Sequence, residues 1–158
     1  MFLVRVGVLG LVLCLLLARL YVTTSGYNGY NPVPYSRGFI WPHVTTHNRL
    51  ASHFIKEIPA TASVITQTEL GPHLSERREI YLFPYAVGHA DYIFLDASGF
   101  FYPFKNYNAF ASEAQSIIQG GTYGVIDMDD GYLLLKKGSP PQLVAQALQM
   151  IAAHAHSY

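Results

Sequence analysis

The chain has 158 residues, 51% of them hydrophobic and only 13% charged, with ten Lys+Arg balancing ten Asp+Glu for a formal net charge of zero. These values exclude a disordered polyelectrolyte and a nucleic-acid binder that relies on bulk positive charge. Only the amino-terminal stretch is lipophilic over a long run, which is not the pattern of a polytopic membrane protein, and the length suits a single domain.

From Phe2 to Val22 the sequence is apolar apart from Arg5 and Arg19, with an uninterrupted run from Val6 to Ala18. At about 1.5 Å per residue the whole stretch covers a hydrocarbon core of about 30 Å if both arginines snorkel from its ends. Residues 1–22 are therefore read as a transmembrane anchor. The alternative is a cleaved signal peptide, which also has a basic start and a short apolar core. Arg19-Leu20-Tyr21-Val22 lacks a small-x-small cleavage site, and Thr24-Ser25-Gly26 is a poor substitute. Cys14 is the only cysteine, so no intramolecular disulfide can form, and Leu13 stands where a lipoprotein signal needs a small residue. Arg5 near the start directs the amino terminus to the cytoplasm, a tendency that Arg19 weakens. Both readings put the remainder on the extracytoplasmic side of the cell membrane.

Residues 23–45 combine Gly, Asn and Pro punctuation with Tyr27, Tyr30, Tyr35, Phe39 and Trp41, and show no helical or strand period. They read as a linker whose aromatics suit the headgroup level, with carbohydrate stacking as the alternative. An extracytoplasmic domain is expected over 46–158. Thr46 or Asn48 can cap a helix running to Ile58, with Leu50, Phe54, Ile55 and Ile58 on one face and Pro59 ending it. Ala62 to Thr66 reads as a first strand and Glu69 to Leu74 as a brief helical turn. Glu79 to Phe83, Asp91 to Asp96, Tyr123 to Asp127 and Tyr132 to Lys136 supply four further strands. Helices are expected over Asn108 to Gln119, stopped by Gly120-Gly121, and over Pro140 to His154, with the proline pair in the first turn. This order predicts an α/β fold: a single mixed sheet of about five strands flanked by helices, preceded by one transmembrane helix. The apolar run Tyr92-Ile93-Phe94-Leu95 belongs in the middle of the sheet, buried on both faces.

Chemistry-bearing residues are sparse. The segment from Glu69 to Pro84 carries His73, Ser75, Arg77 and Arg78 on a polar loop before a strand, where paired guanidinium groups could grip a phosphate or carboxylate. The competing explanation ties Arg77 or Arg78 to Asp91 or Asp96 and leaves the loop as scaffold. Asp127-Met128-Asp129-Asp130-Gly131 has the Asp-x-Asp look of a metal–nucleotide site, but Asp-Gly between two strands is what a tight hairpin demands, and the hairpin accounts for Gly131 as well. His43, His47 and His53, with His154 and His156, invite a zinc reading that the spacing does not support, since no His-Glu-x-x-His frame exists. No glycine phosphate loop follows the first strand, and no Gly-x-Ser-x-Gly elbow is present. Asp91 and Asp96 flank one strand on opposite pleat faces, which argues against a paired acid–base site. No metal, cofactor or nucleic acid is expected.

Several segments together carry a resemblance: Ile58-Pro59-Ala60-Thr61-Ala62-Ser63-Val64, Pro72-His73-Leu74-Ser75 with Arg77-Arg78, Ile80-Tyr81-Leu82-Phe83-Pro84, Ala90-Asp91-Tyr92-Ile93-Phe94-Leu95-Asp96, and Tyr123-Gly124-Val125 with Gly131-Tyr132-Leu133-Leu134-Leu135-Lys136. In this order, from about Trp41 to Lys137, the chain resembles the carboxy-terminal extracytoplasmic part of the domain of unknown function 2079 family, predicted bacterial multi-pass membrane proteins. That family is similar to membrane glycosyltransferases using polyprenyl-phosphate sugars, whose catalytic acid lies in an early external loop. This chain has one hydrophobic segment where the family has many, so no catalytic residue carries over. With no convergent nucleophile, base or metal cluster, a membrane-anchored structural or ligand-binding module, non-catalytic alone, is expected; the resemblance implies as alternatives a truncated member retaining its last membrane helix, or an accessory part of a membrane glycosyltransferase working beside a multi-pass partner. The module's expected contacts with a lipid-linked glycan are His73, Ser75, Arg77 and Arg78, assisted by Trp41.

Overall fold

The structure is a computed structural model, and it describes residues 10–17 and 43–155. Most of the aromatic linker, Trp41 included, the two ends of the expected anchor and His156 lie outside the described residues. The chain divides into two units, Met1–Val44 and Thr45–Tyr158. In the first, residues 10–17 are helical (α1), and Leu11, Leu13, Leu15 and Leu16 are all about three-fifths exposed. Among the described residues no helix is long and apolar enough to cross a membrane.

The second unit begins with α2 (Thr46–Glu57), followed by β1 (Val64–Thr66), a 3-10 turn (Gly71–Leu74), β2 (Ile80–Leu82), β3 (Tyr92–Asp96), α3 (Tyr107–Gln119), β4 (Tyr123–Asp129), β5 (Tyr132–Lys137) and α4 (Val144–His154). The five strands form one mixed sheet in the order β2-β1-β3-β5-β4. β1 runs parallel to both β2 and β3, while β5 runs antiparallel to β3 and β4. The expected α/β fold with a mixed five-stranded sheet is therefore present, and β3 occupies its centre.

The alternation of side chains along β3 explains both layers. Tyr92 and Phe94 point to one face, where Val64, Tyr132 and Leu134 join them under Ala51, Phe54 and Ile58 of the α2 segment. Ile93 and Leu95 point to the other, packing with Leu133 and Leu135 against Phe110, Ala114 and Ile118 of α3 and Ala147 and Ile151 of α4. A strand buried on both faces needs apolar residues at every position, which is why Tyr92 to Leu95 shows no polar alternation. Phe54 is fully buried and its ring lies 5.7 Å from Phe94 and 5.5 Å from Tyr132, so it fastens α2 to the sheet.

Most element ends move by one or two residues from the sequence reading, and three differences have a specific physical cause. Thr45, not Thr46 or Asn48, caps α2, and Asn48 is its reciprocal partner in a capping box: the Asn48 amide donates to the Thr45 hydroxyl at 3.1 Å and its side chain accepts from the Thr45 amide at 3.1 Å. Helix α4 starts at Val144 and leaves Pro140 and Pro141 outside. The stretch before it is held on β4 instead: the Gly138 amide donates to the Thr122 carbonyl at 2.9 Å, and the Ser139 and Pro140 carbonyls press on Gly124. Strand β4 continues to Asp129, leaving Asp130 (φ 45) and Gly131 (φ 92) as a two-residue turn. Positive φ at both positions is the requirement that makes Asp-Gly a hairpin signal.

Candidate functional site

The carboxyl ends of parallel β1 and β3 open onto a cleft of about 300 Å³. Its walls are Glu69 and Leu70 after β1, Asp96, Ser98 and Gly99 at the end of β3, Tyr132 at the start of β5, His73 of the 3-10 turn, and the first turns of α2 from His47 to Ile55. The topology accounts for the position. The chain leaves β1, forms β2 on one side of it and crosses to β3 on the other, so the loops after β1 and β3 part at the carboxyl edge and leave a crevice.

His47 organises this cleft. Its Nε2 lies 2.9 Å from Asp96 Oδ2 and its Nδ1 lies 2.9 Å from Asp130 Oδ2, while the ring stacks on Tyr132 with centroids 4.2 Å apart and planes 15° apart. An imidazole with a carboxylate at each nitrogen donates through both only when protonated. Burial pulls its pKa down, but the hydrogen bonds and charges of Asp96 and Asp130 outweigh burial and leave it raised. Tyr132 titrates higher still, pushed up to about 12 by burial and then by the charges of Asp96, Asp130 and Glu69, so its phenol stays neutral.

Ser98 completes the arrangement. Its amide donates to Asp96 Oδ1 at 2.8 Å and its hydroxyl to the same oxygen at 2.6 Å, with Oγ 3.2 Å from His47 Nε2. Because the hydroxyl proton is directed to the carboxylate, and the imidazole nitrogen nearest Ser98 is engaged by Asp96, this is not a nucleophile–base pair. Asp96, Ser98 and Glu69 present hydrogen-bonding groups to the cleft. Gln67, almost fully buried, fixes the β3 end by accepting from the Asp96 amide at 2.6 Å and donating to the Asp96 carbonyl at 3.2 Å and the Phe100 carbonyl at 3.0 Å. Glu69 Oε2 accepts from the Phe100 amide at 3.2 Å, which positions its carboxylate at the rim.

The loop singled out in the sequence is divided among three hollows. His73 lines the cleft and also a neighbouring hollow of about 180 Å³ that it shares with Arg77, Glu76 and Leu74. Arg77 is turned inward to the end of α2: Nη2 donates to the Ile58 carbonyl at 2.8 Å and the Ile55 carbonyl at 3.3 Å, and Nη1 donates to the Pro59 carbonyl. Burial lowers its pKa from the ordinary guanidinium value. Arg78 borders a third hollow with Ala60, Thr61, Glu76 and Glu79, and Ser75 is exposed at the end of the 3-10 turn. The alternative of an arginine tied to Asp91 or Asp96 is not what the fold contains. Asp91 Oδ2 is taken by the Ser63 amide at 3.0 Å and hydroxyl at 2.8 Å, and Asp96 belongs to His47 and Ser98. Helix-end carbonyls satisfy Arg77 because four of them lack intrahelical donors.

A family model described as a predicted membrane protein, DUF2079, matches residues 2–134. The chain belongs to the DUF2079 family. No curated protein and no solved structure matches it. The family match spans the apolar amino-terminal run and every residue lining the cleft, and it stops before α4. Membership carries a membrane location with it, in line with the exposed leucines of α1.

Sequence reading missed His47 as a member of the site, together with Ser98 and Tyr132. His47 is 49 residues from Asp96 and 83 from Asp130 along the chain. The only local signal was Asp96 with a serine two residues on, at the end of an apolar strand. Its value depended on knowing that β3 runs parallel to β1.

Proposed function

We propose that this DUF2079 member is a membrane-anchored binding module, held by Phe2 to Val22 with its α/β domain on the extracytoplasmic side, that recognises the sugar of a lipid-linked or envelope glycan and performs no chemistry alone. The observation carrying this reading is the cleft at the carboxyl ends of β1 and β3. Its lining combines carboxylates (Glu69, Asp96), hydroxyls (Ser52, Ser98), an amide (Asn48) and an imidazole (His73) over an apolar floor of Ala51, Leu70 and Tyr132. Such a mixture suits a hydroxyl-rich ligand, whose donors the carboxylates accept and whose ring carbons the floor covers. The anionic part of the ligand would meet Ser75 and Arg78, both exposed, whereas Arg77 serves the helix end.

A second reading makes the module an accessory part of a membrane glycosyltransferase that uses polyprenyl-phosphate sugars. The engaged state of Ser98 and His47 favours it over independent catalysis: the cleft holds a sugar without activating one, so a multi-pass partner would supply the reacting groups.

The test uses the full chain in detergent micelles, saturation-transfer NMR, and a panel of hexoses, hexosamines and sugar phosphates. Glu69→Gln and His73→Ala, both surface changes, are expected to weaken binding by about 1.5–3 kcal/mol, the worth of hydrogen bonds to charged groups. If no panel member binds, or if binding survives in both variants, the cleft is not the site. Protection of the domain from external protease on intact spheroplasts would overturn the extracytoplasmic assignment.

A further inference from the structure

On the α2 side of the β4–β5 hairpin, outside the cleft, three donor groups converge. His53 Nε2 lies 3.2 Å from Glu57 Oε1 and 3.7 Å from Asp127 Oδ2, and all three ligand atoms fall within 4.8 Å of one another. We infer that His53, Glu57 and Asp127 form a site for one divalent metal ion of zinc-like preference, clamping α2 to β4.

The geometry is that of a three-ligand site with room for solvent. Donors bound tetrahedrally at about 2.0–2.1 Å sit roughly 3.3 Å apart, so the His53–Glu57 pair is already at ligand spacing and Asp127 needs only a small side-chain adjustment. The two helical donors are one turn apart, at i and i+4, on a single face of α2. The third is placed by an irregularity in the sheet. Register between β4 and β5 shifts between Val125 and Asp127, passing over Ile126, and this sets the direction of Asp127. Its Oδ1 accepts from the Met128 amide at 2.8 Å, leaving Oδ2 toward His53 as a single-oxygen ligand.

Charge supplies the independent argument. Among the described residues every ion pair involves a histidine, and neither Glu57 nor Asp127 has a lysine or arginine within ion-pair distance. Two carboxylates are thus gathered around one imidazole nitrogen without a permanent cation between them. One nitrogen and two oxygens match zinc and its neighbours in the first transition row, and do not match calcium, which takes six to eight oxygens. The exposure of the group, with His53 61% and Asp127 34% exposed, leaves the remaining positions to water.

The full chain in detergent, stripped with chelator, is titrated with Zn²⁺ by calorimetry and with Co²⁺ by visible absorption. The expected result is one ion per chain, a Co²⁺ d–d band of low-coordination intensity, and a loss of affinity of at least about tenfold in His53→Ala and in Asp127→Asn. His43→Ala and His154→Ala should leave both readouts unchanged. Because all three ligands are on the surface, circular dichroism of each variant should match the parent, and Glu57→Gln serves if one does not fold. Binding that persists in His53→Ala and Asp127→Asn, binding abolished by His43→Ala or His154→Ala, or no saturation at one equivalent would each overturn the inference.

Discussion

Arg77 offers the most direct separation of scaffold from ligand contact. Replacing it with alanine removes a charged donor from the carbonyls of Ile55, Ile58 and Pro59 at the carboxyl end of α2. A hydrogen bond from a charged group is worth about 1.5–3 kcal/mol, and bonds from one side chain do not add, so a net cost of about 2 kcal/mol follows for this half-buried group. The favourable placement of a cation at a helix carboxyl terminus is included in that figure. For a unit the size of Thr45–Tyr158, 1 kcal/mol corresponds to about 4 °C, which makes the expected fall in Tm about 8 °C. Arg77→Lys should recover only part of it, because an ammonium cannot span three carbonyls as the planar fork does. Arg78→Ala, at an exposed position, should stay within about 0.5 kcal/mol of the parent. Thermal and urea unfolding followed by far-ultraviolet circular dichroism measure all three. If Arg77→Ala melts within about 2 °C of the parent, the guanidinium does not secure α2 and its assignment as scaffold fails.

The raised pKa of His47 makes the fold sensitive to pH. Its ionisation contributes stability that is fully present below the unfolded histidine value of about 6.5 and is lost as pH rises through the higher folded value. The Tm difference between pH 6 and pH 8 should therefore shrink in Asp130→Asn, which removes one of the two carboxylates; an unchanged difference would mean that the pair does not set the titration. Gly124→Ala should cost about 2–3 kcal/mol, since a Cβ there would run into the Ser139 and Pro140 carbonyl oxygens, which are backbone and cannot rotate away. Chemical denaturation midpoints test this, and a loss below about 0.5 kcal/mol would show that the 138–140 segment is not pinned on β4.

Local pattern was enough for the elements and for the central place of β3. The unbroken apolar run Tyr92 to Leu95 marked the central strand, because only a strand covered on both faces can dispense with polar alternation. Asp130-Gly131 marked the hairpin, because positive φ at two successive positions excludes most other residues. The i, i+4 spacing of Leu50, Phe54 and Ile58 marked the buried face of α2. These are short-range rules, each satisfied within one or two turns of chain. Partnerships formed across the fold escaped them. Arg77 was legible as a cation but not as the clasp of α2, since its acceptors are backbone carbonyls that every residue carries and no side-chain pattern reveals. Pro140 and Pro141 satisfied the rule for a helix start, yet the Ser139 and Pro140 carbonyls close over Gly124 of β4 and α4 begins only at Val144. His47, Asp96 and Asp130 come from α2, β3 and the β4–β5 turn, and only the parallel pairing of β1 with β3 and the antiparallel return of β5 bring them to one edge. Composition and periodicity thus determined which segments fold and which faces they bury. Strand direction and register decided which polar groups meet, because a cleft at the carboxyl ends of strands exists only once their order and direction in the sheet are set.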